Sequence, residues 1–389
     1  MMKAGWKTVA LGDVADIERD SVAASEIADG TTYVGLENIE SGGRFLNVRA
    51  VAGGELASNK FAFTDRHVLY GKLRPYLAKI ARPDFGGICS TDILPILPGP
   101  ALSRGYLAHF LLQPSVVDFA NSRSEGVNLP RLSPKTLARF DMPLPPLPDQ
   151  RRIAAILDQA EALRAKRRAA LGLLEGLAQA IFLEMFGDPL ANPKGWAVHK
   201  FDHLCDRITV GIVVQPASHY VSAGVPAIRS LNIKPGKIVL EDLVYFSQAD
   251  NDGKLRKTKL KAGDIVLVRT GQPGTAAVVP AELDGVNAID VLIATPQKGR
   301  SDATYLCAFF NSAGGRGLVL ATQRGQIQKH LNVGSLNAAA IPLPPHSLQQ
   351  TFANRIGALE ALKTTHRASL TQLDALFASL QHRAFRGEL

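Results

Sequence analysis

The feature that most constrains this 389-residue chain is that it repeats itself. Shifted by 199 positions, Met142-Pro143-Leu144-Pro145-Pro146 lies on Ile341-Pro342-Leu343-Pro344-Pro345, and Gln150 lies on Gln349. Glu161-Ala162-Leu163 falls on Glu360-Ala361-Leu362, and Arg168-Ala169-Ala170-Leu171 falls on Arg367-Ala368-Ser369-Leu370. From 126 to 186 the ungapped comparison holds 18 identities in 61 pairs, which unrelated segments would not give. Tyr106-Leu107 meets Tyr305-Leu306 at the same offset. Gly35-Leu36-Glu37-Asn38-Ile39 resembles Arg229-Ser230-Leu231-Asn232-Ile233 at 194, and Gly5-Trp6 meets Gly195-Trp196 at 190. The offset grows by short insertions, which belong in loops. A unit of this length is far too long for a solenoid repeat. The chain is a tandem duplication of one globule-plus-tail unit.

Each unit changes character once. Its first part has short β-rich runs, Thr31–Leu36, His67–Tyr70 and Ile88–Leu97, with counterparts at Pro226–Ile233, Asp264–Thr270 and Val286–Thr295. Gly, Pro and Asn punctuate these runs. Short helical stretches follow at Ser103–Leu112 and Ser115–Ser122, and again at Asp302–Asn311 and Gly317–Gln323. The pattern reads as a mixed α/β globule. A proline stop comes next, Pro143–Pro148 and Pro342–Pro345, which no helix crosses.

Beyond each stop lies a proline-free segment, Gln150–Phe186 and Gln349–Phe385. In the first, Ile153, Ile156, Ala160, Leu163, Ala170, Leu174, Leu177 and Ile181 follow heptad spacing, with Arg167 as a polar member. In the second the seam is Phe352, Leu359, Leu362, Leu373, Leu376 and Leu380, with His366 opposite Arg167 in the alignment. Such a helix spans about 55 Å. A narrow apolar stripe must be covered, and the duplicate helix is the nearest cover. Pseudo-two-fold pairing would be antiparallel, with a globule at each end. Arg167 and His366 would fall near the middle, where a polar layer can fix register. The expected boundaries are 1–149 for the first globule, 150–187 for its helix, 188–348 for the second globule and 349–389 for its helix.

Composition narrows the function. The apolar share of 46% supports folded cores. No uninterrupted apolar run reaches membrane length, and the charged start lacks a leader's apolar region, so a cytoplasmic chain without membrane contact is expected. Cys89, Cys205 and Cys307 form no C-x-x-C pair, which fits a reducing compartment and excludes a disulfide scaffold. There is no phosphate-binding G-x-x-x-x-G-K-[ST] loop. Gly314-Gly315-Arg316-Gly317 reads as a turn between helices. His199, His203 and Cys205 read as ordinary surface residues, because the aligned positions of the first copy lack histidine; no metal site is expected. The net charge of +9 is uneven: 0 over 1–149, +2 over 150–187, +5 over 188–348 and +2 over 349–389. The excess suits a polyanion, chiefly at the second globule.

The layout resembles the specificity (S) subunit of type I restriction–modification systems. The marks are Trp6 with Leu11-Gly12-Asp13-Val14, Gly71-Lys72-Leu73-Arg74-Pro75-Tyr76-Leu77, and Pro143-Leu144-Pro145-Pro146 with Gln150. The second copy has Phe186-Gly187-Asp188-Pro189, Asn192-Pro193-Lys194-Gly195-Trp196 and Leu260-Lys261-Ala262-Gly263-Asp264-Ile265, and the chain ends Phe385-Arg386-Gly387-Glu388-Leu389. The Glu-Gln usual after the proline stop is Asp149-Gln150 here and Leu348-Gln349 in the second copy. The resemblance implies an α+β protein with two mixed α/β target recognition domains, each followed by a long helix. The helices would pair as an antiparallel intramolecular coiled coil with pseudo-two-fold symmetry. Each domain would read one half of a split, asymmetric site in double-stranded DNA. The helices would dock two modification (methyltransferase) subunits, and restriction subunits would join. The chain itself would be non-catalytic and carry no cofactor; S-adenosylmethionine, ATP and Mg would sit in the partner subunits. The alternatives are a specificity subunit serving a fused nuclease–methylase, and a coiled-coil scaffold that does not read DNA.

Candidate DNA contacts are basic or amide residues near strand ends. In the first copy they are Arg44, Lys60, Lys72, Arg74, Arg123, Asn128 and Arg131. In the second they are Arg229, Asn232, Arg256, Lys257, Lys259, Arg269, Gln272, Arg324, Gln326, Gln328 and Lys329. The run Lys254–Lys261 reads either as a phosphate-binding strip or as a solvated edge strand blunted by lysines.

Overall fold

A computed structural model describes residues 6–321 and 330–389. It forms two compact units, one of residues up to Arg168 with Ala368–Leu389, the other Ala169–Arg367. Each long helix therefore gives part of its length to each unit.

The two units share a framework. In the first, an antiparallel sheet runs in the order Ala15–Ile17, Ile93–Pro98, Val68–Gly71, Ile80–Ala81. In the second, the order is Cys205–Val210, Val291–Pro296, Ile265–Val268, Ala276–Val278. Val68–Gly71 and Ile265–Val268 are buried at every position, which is why they read as unbroken apolar runs rather than alternating ones. A two-stranded ribbon closes each unit, Lys7–Ala10 with Asp141–Leu144 and Ala197–Lys200 with Ala340–Leu343.

The remaining sheets share only three strands. Thr31–Val34 lies antiparallel to Arg49–Val51 and parallel to Gly87–Cys89. Val225–Ile228 relates in the same way to Val244–Phe246 and Asn287–Ala288. The first unit adds Lys60–Phe63 and Ser21–Val22 beyond Gly87–Cys89. The second adds Tyr220–Val221 at the opposite edge. The copies thus diverge where the sequence offset changes.

The glycine cluster after Phe310 is helical, not a turn: Gly314–Gly317 lie inside Ala313–Leu320. Ser312 caps that helix by accepting from the Gly315 amide at 3.0 Å. A Cβ on Gly315 would meet the Phe309 carbonyl oxygen at 2.0 Å, so the glycine serves close packing.

The long helices are Leu147–Phe186 and His346–Ala384. The first begins ahead of the expected Gln150 because proline is tolerated in a helix's first turn, where Pro148 sits. A buried glutamine ties each helix to its own globule. Gln150 accepts from the Ser103 amide at 2.8 Å and donates to the carbonyls of Pro145 at 2.8 Å and Ala101 at 3.0 Å. Gln349 accepts from the Asp302 amide at 2.8 Å and donates to Pro344 at 2.8 Å and Arg300 at 3.3 Å. The Tyr106 hydroxyl donates to Pro143, and the Tyr305 hydroxyl to Pro342. The preceding residue, Asp149 or Leu348, takes no part in these bonds.

The helix seam differs from the expected one at four positions, Leu163, Leu177, Leu362 and Leu376. Ile153, Arg167, Leu174 and Ile181 are buried or half-buried, as are Phe352, Leu359, His366, Leu373 and Leu380. The intervening members move one residue on. Leu157, Arg164, Leu171 and Ala178 turn inward, while Leu163 and Leu177 are 53% and 41% exposed. Likewise Ile356, Lys363, Leu370 and Phe377 turn inward, while Leu362 and Leu376 are 45% and 50% exposed. Ile156 is half-buried, as Arg167 and Leu174 are. The cause is that these helices also pack on globules: Ile153 and Leu157 belong to the first unit's core with Tyr106, Phe110 and Met142. Within that unit the helices run antiparallel, with Arg152 bonded to Leu389 and Arg164 paired to Asp374. In the second, Phe182 and Phe186 pack edge-on against Phe352. A stretch of Leu147–Phe186 is long and apolar enough, by composition alone, to cross a membrane, and 17% of it is buried. A search for uninterrupted apolar runs does not find it because charged residues break it.

Candidate nucleic-acid interface

One carboxylate organises the loops beside the main sheet in each unit. Asp92 precedes Ile93–Pro98, and Asp290 precedes Val291–Pro296. Arg131 donates to Asp92 from Nε at 2.9 Å and from a terminal nitrogen at 3.2 Å. At Asp290 the partner is instead Arg269, at 2.5 Å, which also bonds the Leu331 carbonyl and His330. Backbone bonds match across copies: the Leu132 amide donates to Lys72, and the Leu331 amide to Arg269. Two loops are thereby fastened side by side in each unit.

In the first unit the Arg74 amide also donates to the Pro130 carbonyl at 2.7 Å. Glu125 and Arg131 exchange two backbone bonds, at 3.1 and 2.9 Å, closing a tight loop over Gly126–Pro130. Gly126 holds φ of +109°, where a side chain is strained. Arg74 and Ala78 take left-handed conformations at either end of the turn Pro75–Leu77. Backbone held in this region by its surroundings is a mark of functional loops.

Several expected contacts sit elsewhere. Lys60 is buried, its ammonium donating to the Ser58 carbonyl at 2.6 Å and hydroxyl at 2.7 Å, and burial lowers its pKa. These bonds fasten its own loop. Asn232 is wholly buried; it accepts from the Arg229 amide at 3.0 Å and donates to Val239 and Glu241. Asn38 does the same with Gly35, Leu46 and Asn47, so the repeated asparagine is a turn-building residue. Arg229 donates to the Asp242 carbonyl. Arg269 is largely covered within its clamp, and Lys259 is paired with Asp252 at 2.8 Å.

Others remain at the surface. Arg74, Asn128 and Gln272 are exposed, and Lys72 is half-buried. Arg123 lies over the Phe119 ring at 4.1 Å. Arg44 is exposed but paired with Glu40 at 2.6 Å. Arg256 and Lys257 are exposed on a short 3-10 turn, Arg256–Thr258, so the basic run is not an edge strand. Arg324, Gln326, Gln328 and Lys329 lie outside the described residues. Sequence reading missed Asp92 and Asp290; their shared place before the strand that follows was the available signal.

Comparison with known proteins agrees with this duplicated design. The family model for the type I restriction modification DNA specificity domain matches residues 3–171. The EcoDI specificity subunit of Escherichia coli is 27% identical over 186 residues, covering 46% of this chain and 41% of the relative. The EcoBI specificity subunit of Escherichia coli is 23% identical over 305 residues, covering 71% and 64%. The EcoKI specificity subunit of Escherichia coli K12 is 23% identical over 328 residues, covering 78% and 69%. The match thus spans about two fifths to two thirds of the first two relatives' length. The S subunit of a type I system from M. genitalium has a similar fold, with TM-score 0.61, 11% identity and coverage of 98% and 96%. A chain from a structural study of type I R-M complex assembly gives TM-score 0.64, 20% identity and full coverage of both. Two tandem α/β domains, each latched to its own long helix, define the class of protein. Residues 3–171 match that DNA specificity domain, and the whole chain is similar in fold to the type I S subunit from M. genitalium.

Proposed function

We propose that this chain is the non-catalytic DNA-reading subunit of a type I restriction–modification complex, each unit reading one half of a split site. The observation that carries the reading is the pair of Asp–Arg clamps, Asp92–Arg131 and Asp290–Arg269, which fasten loops bearing exposed cationic and amide side chains. Rigid loops present such groups to base edges at little ordering cost, while nearby lysines and arginines meet phosphates. The two units differ at the second sheet, which suits an asymmetric site.

The long helices set the distance between the readers and offer leucines to partners. Leu163, Leu173, Leu177, Leu362 and Leu376 are exposed, and apolar side chains of this size on a helix surface suit burial by another subunit. The proposed occupants are two modification subunits holding S-adenosylmethionine. Restriction subunits using ATP and Mg would complete the complex in the cytoplasm. The test is co-expression with the modification subunits, followed by mapping of methylated positions genome-wide. A split, asymmetric sequence with a fixed spacer is expected. Methylation without a split consensus, or none above a chain-free control, overturns the reading.

A further inference from the structure

The loop that Glu125 and Arg131 close has an unusual tip. Val127 is 101% exposed and Leu129 is 46% exposed, at the end of a loop held by backbone bonds at both of its feet. Pro130 and the positive φ of Gly126 restrict it further. Two apolar side chains on a braced tip gain nothing from water, and the bracing removes the option of folding them inward. The surroundings are cationic. Lys72, Arg74, Arg123 and Arg131 adjoin the tip in sequence or through its bonds, against Asp92 and Glu125, in a globule (residues 1–149) whose net charge as a whole is 0. Apolar tips within a cationic rim fit a nucleic-acid groove rather than another protein's apolar face, because the rim meets phosphates while the tip reaches base edges. In the major groove the apolar feature a base offers is the thymine C5-methyl group.

We propose that Val127 and Leu129 are specificity-determining residues that read thymine methyl groups in the half-site of the first unit, with Asn128 between them placed for a hydrogen bond to a base. The inference rests on the DNA-reading function proposed above. It is tested with the full chain in complex with its modification subunits. After the site is mapped, each thymine is replaced by deoxyuridine, which removes only the methyl group, and binding is measured for the natural chain and for V127S/L129S. The natural chain should lose roughly five-fold in affinity at one or more positions of a single half-site, as expected for losing one buried methyl contact. The double variant should be indifferent at those positions and unchanged at the other half-site. Because both side chains are exposed, its thermal midpoint should equal that of the natural chain. Indifference of the natural chain to every deoxyuridine overturns the inference while leaving DNA reading intact, and so does a variant that stays equally sensitive. Absence of any split site for the natural chain is a failure of the underlying function instead.

Discussion

The Gln150 side chain donates to the Pro145 carbonyl at 2.8 Å, and Gln349 repeats the bond on Pro344 at 2.8 Å. Both side chains are wholly buried. Each fastens the start of a long helix to the loop that opens a short one. Gln150→Leu keeps the volume but leaves the Ser103 amide and two carbonyls without their partner. The expected cost is about 2–4 kcal/mol, the sum of buried groups left unpaired, read as a lower urea midpoint. Asp149→Ala, next door, should change stability by less than about 0.5 kcal/mol. Equal effects would show that the buried amide is not the fastening.

The thiols report on the units separately. Burial pushes Cys89 and Cys307 up to about 12, far above an ordinary cysteine. Cys89 belongs to the first unit and Cys307 to the second. At pH 8 roughly one thiol in ten thousand would be thiolate, so native alkylation should be very slow. Labelling along a urea gradient, with the modified peptides identified, should follow the opening of each unit. Rapid labelling of either cysteine without denaturant would contradict its burial.

Much of the architecture was legible because duplication doubles every signal. The Pro-Leu-Pro-Pro stop, the glutamine after it and the long proline-free segments each occur twice in order. What escaped was side-chain direction. Leucine at positions 163, 177, 362 and 376 outscored Arg164, Ala178, Lys363 and Phe377 as seam members, yet the latter face inward. A helix that packs on a globule as well as on another helix follows the geometry of both. Asn232 and Lys60 misled for another reason. An amide or ammonium fits a DNA contact by type, but the nearest backbone carbonyls claim both side chains first. The clamps at Asp92 and Asp290 were hidden because the arginine partners sit at non-equivalent positions in the two copies.

Lys60 and the exposed pair Arg256 and Lys257 should therefore behave in opposite ways. Lys60→Met should lower stability, since it leaves the Ser58 carbonyl unpaired, and should leave the salt dependence of DNA binding unchanged. Arg256→Ala and Lys257→Ala should leave stability unchanged. Each should weaken binding to all sequences and reduce the slope of log affinity against log salt by about one. The measurement is a salt titration of complex binding to specific and nonspecific duplexes. A reduced slope for Lys60→Met would return that lysine to the interface.

Asp158 supplies a pH dependence. Burial alone would raise its carboxyl, but hydrogen bonds from His109 at 2.7 Å and Arg82 outweigh that and hold it well below the usual range. A carboxylate depressed in the folded state stabilises it above its unfolded value, about pH 4, and the contribution fades as pH falls toward the folded value. Asp158→Asn should therefore be less stable than the natural chain at pH 7. The gap between them should narrow steadily below pH 4 in urea unfolding. A gap constant across that range would mean the charge of Asp158 contributes nothing.

The proposed spacing role makes the most direct demand on the long helices. The inward positions alternate by four and three residues, as in Ile153, Leu157, Ala160, Arg164 and Arg167. Seven residues therefore restore the same face, whereas four do not. Inserting one matched heptad after Leu171 and another after Leu370 keeps both seams in step. It lengthens each helix by about 10 Å, equal to about three base pairs at 3.4 Å each. Methylation mapping of this variant should find both half-sites unchanged and the spacer longer by about three base pairs. A four-residue insertion in one helix alone should lower stability, because it rotates leucines such as Leu174 off the seam. An unchanged spacer in the matched variant would mean that something other than helix length sets the distance between the half-sites.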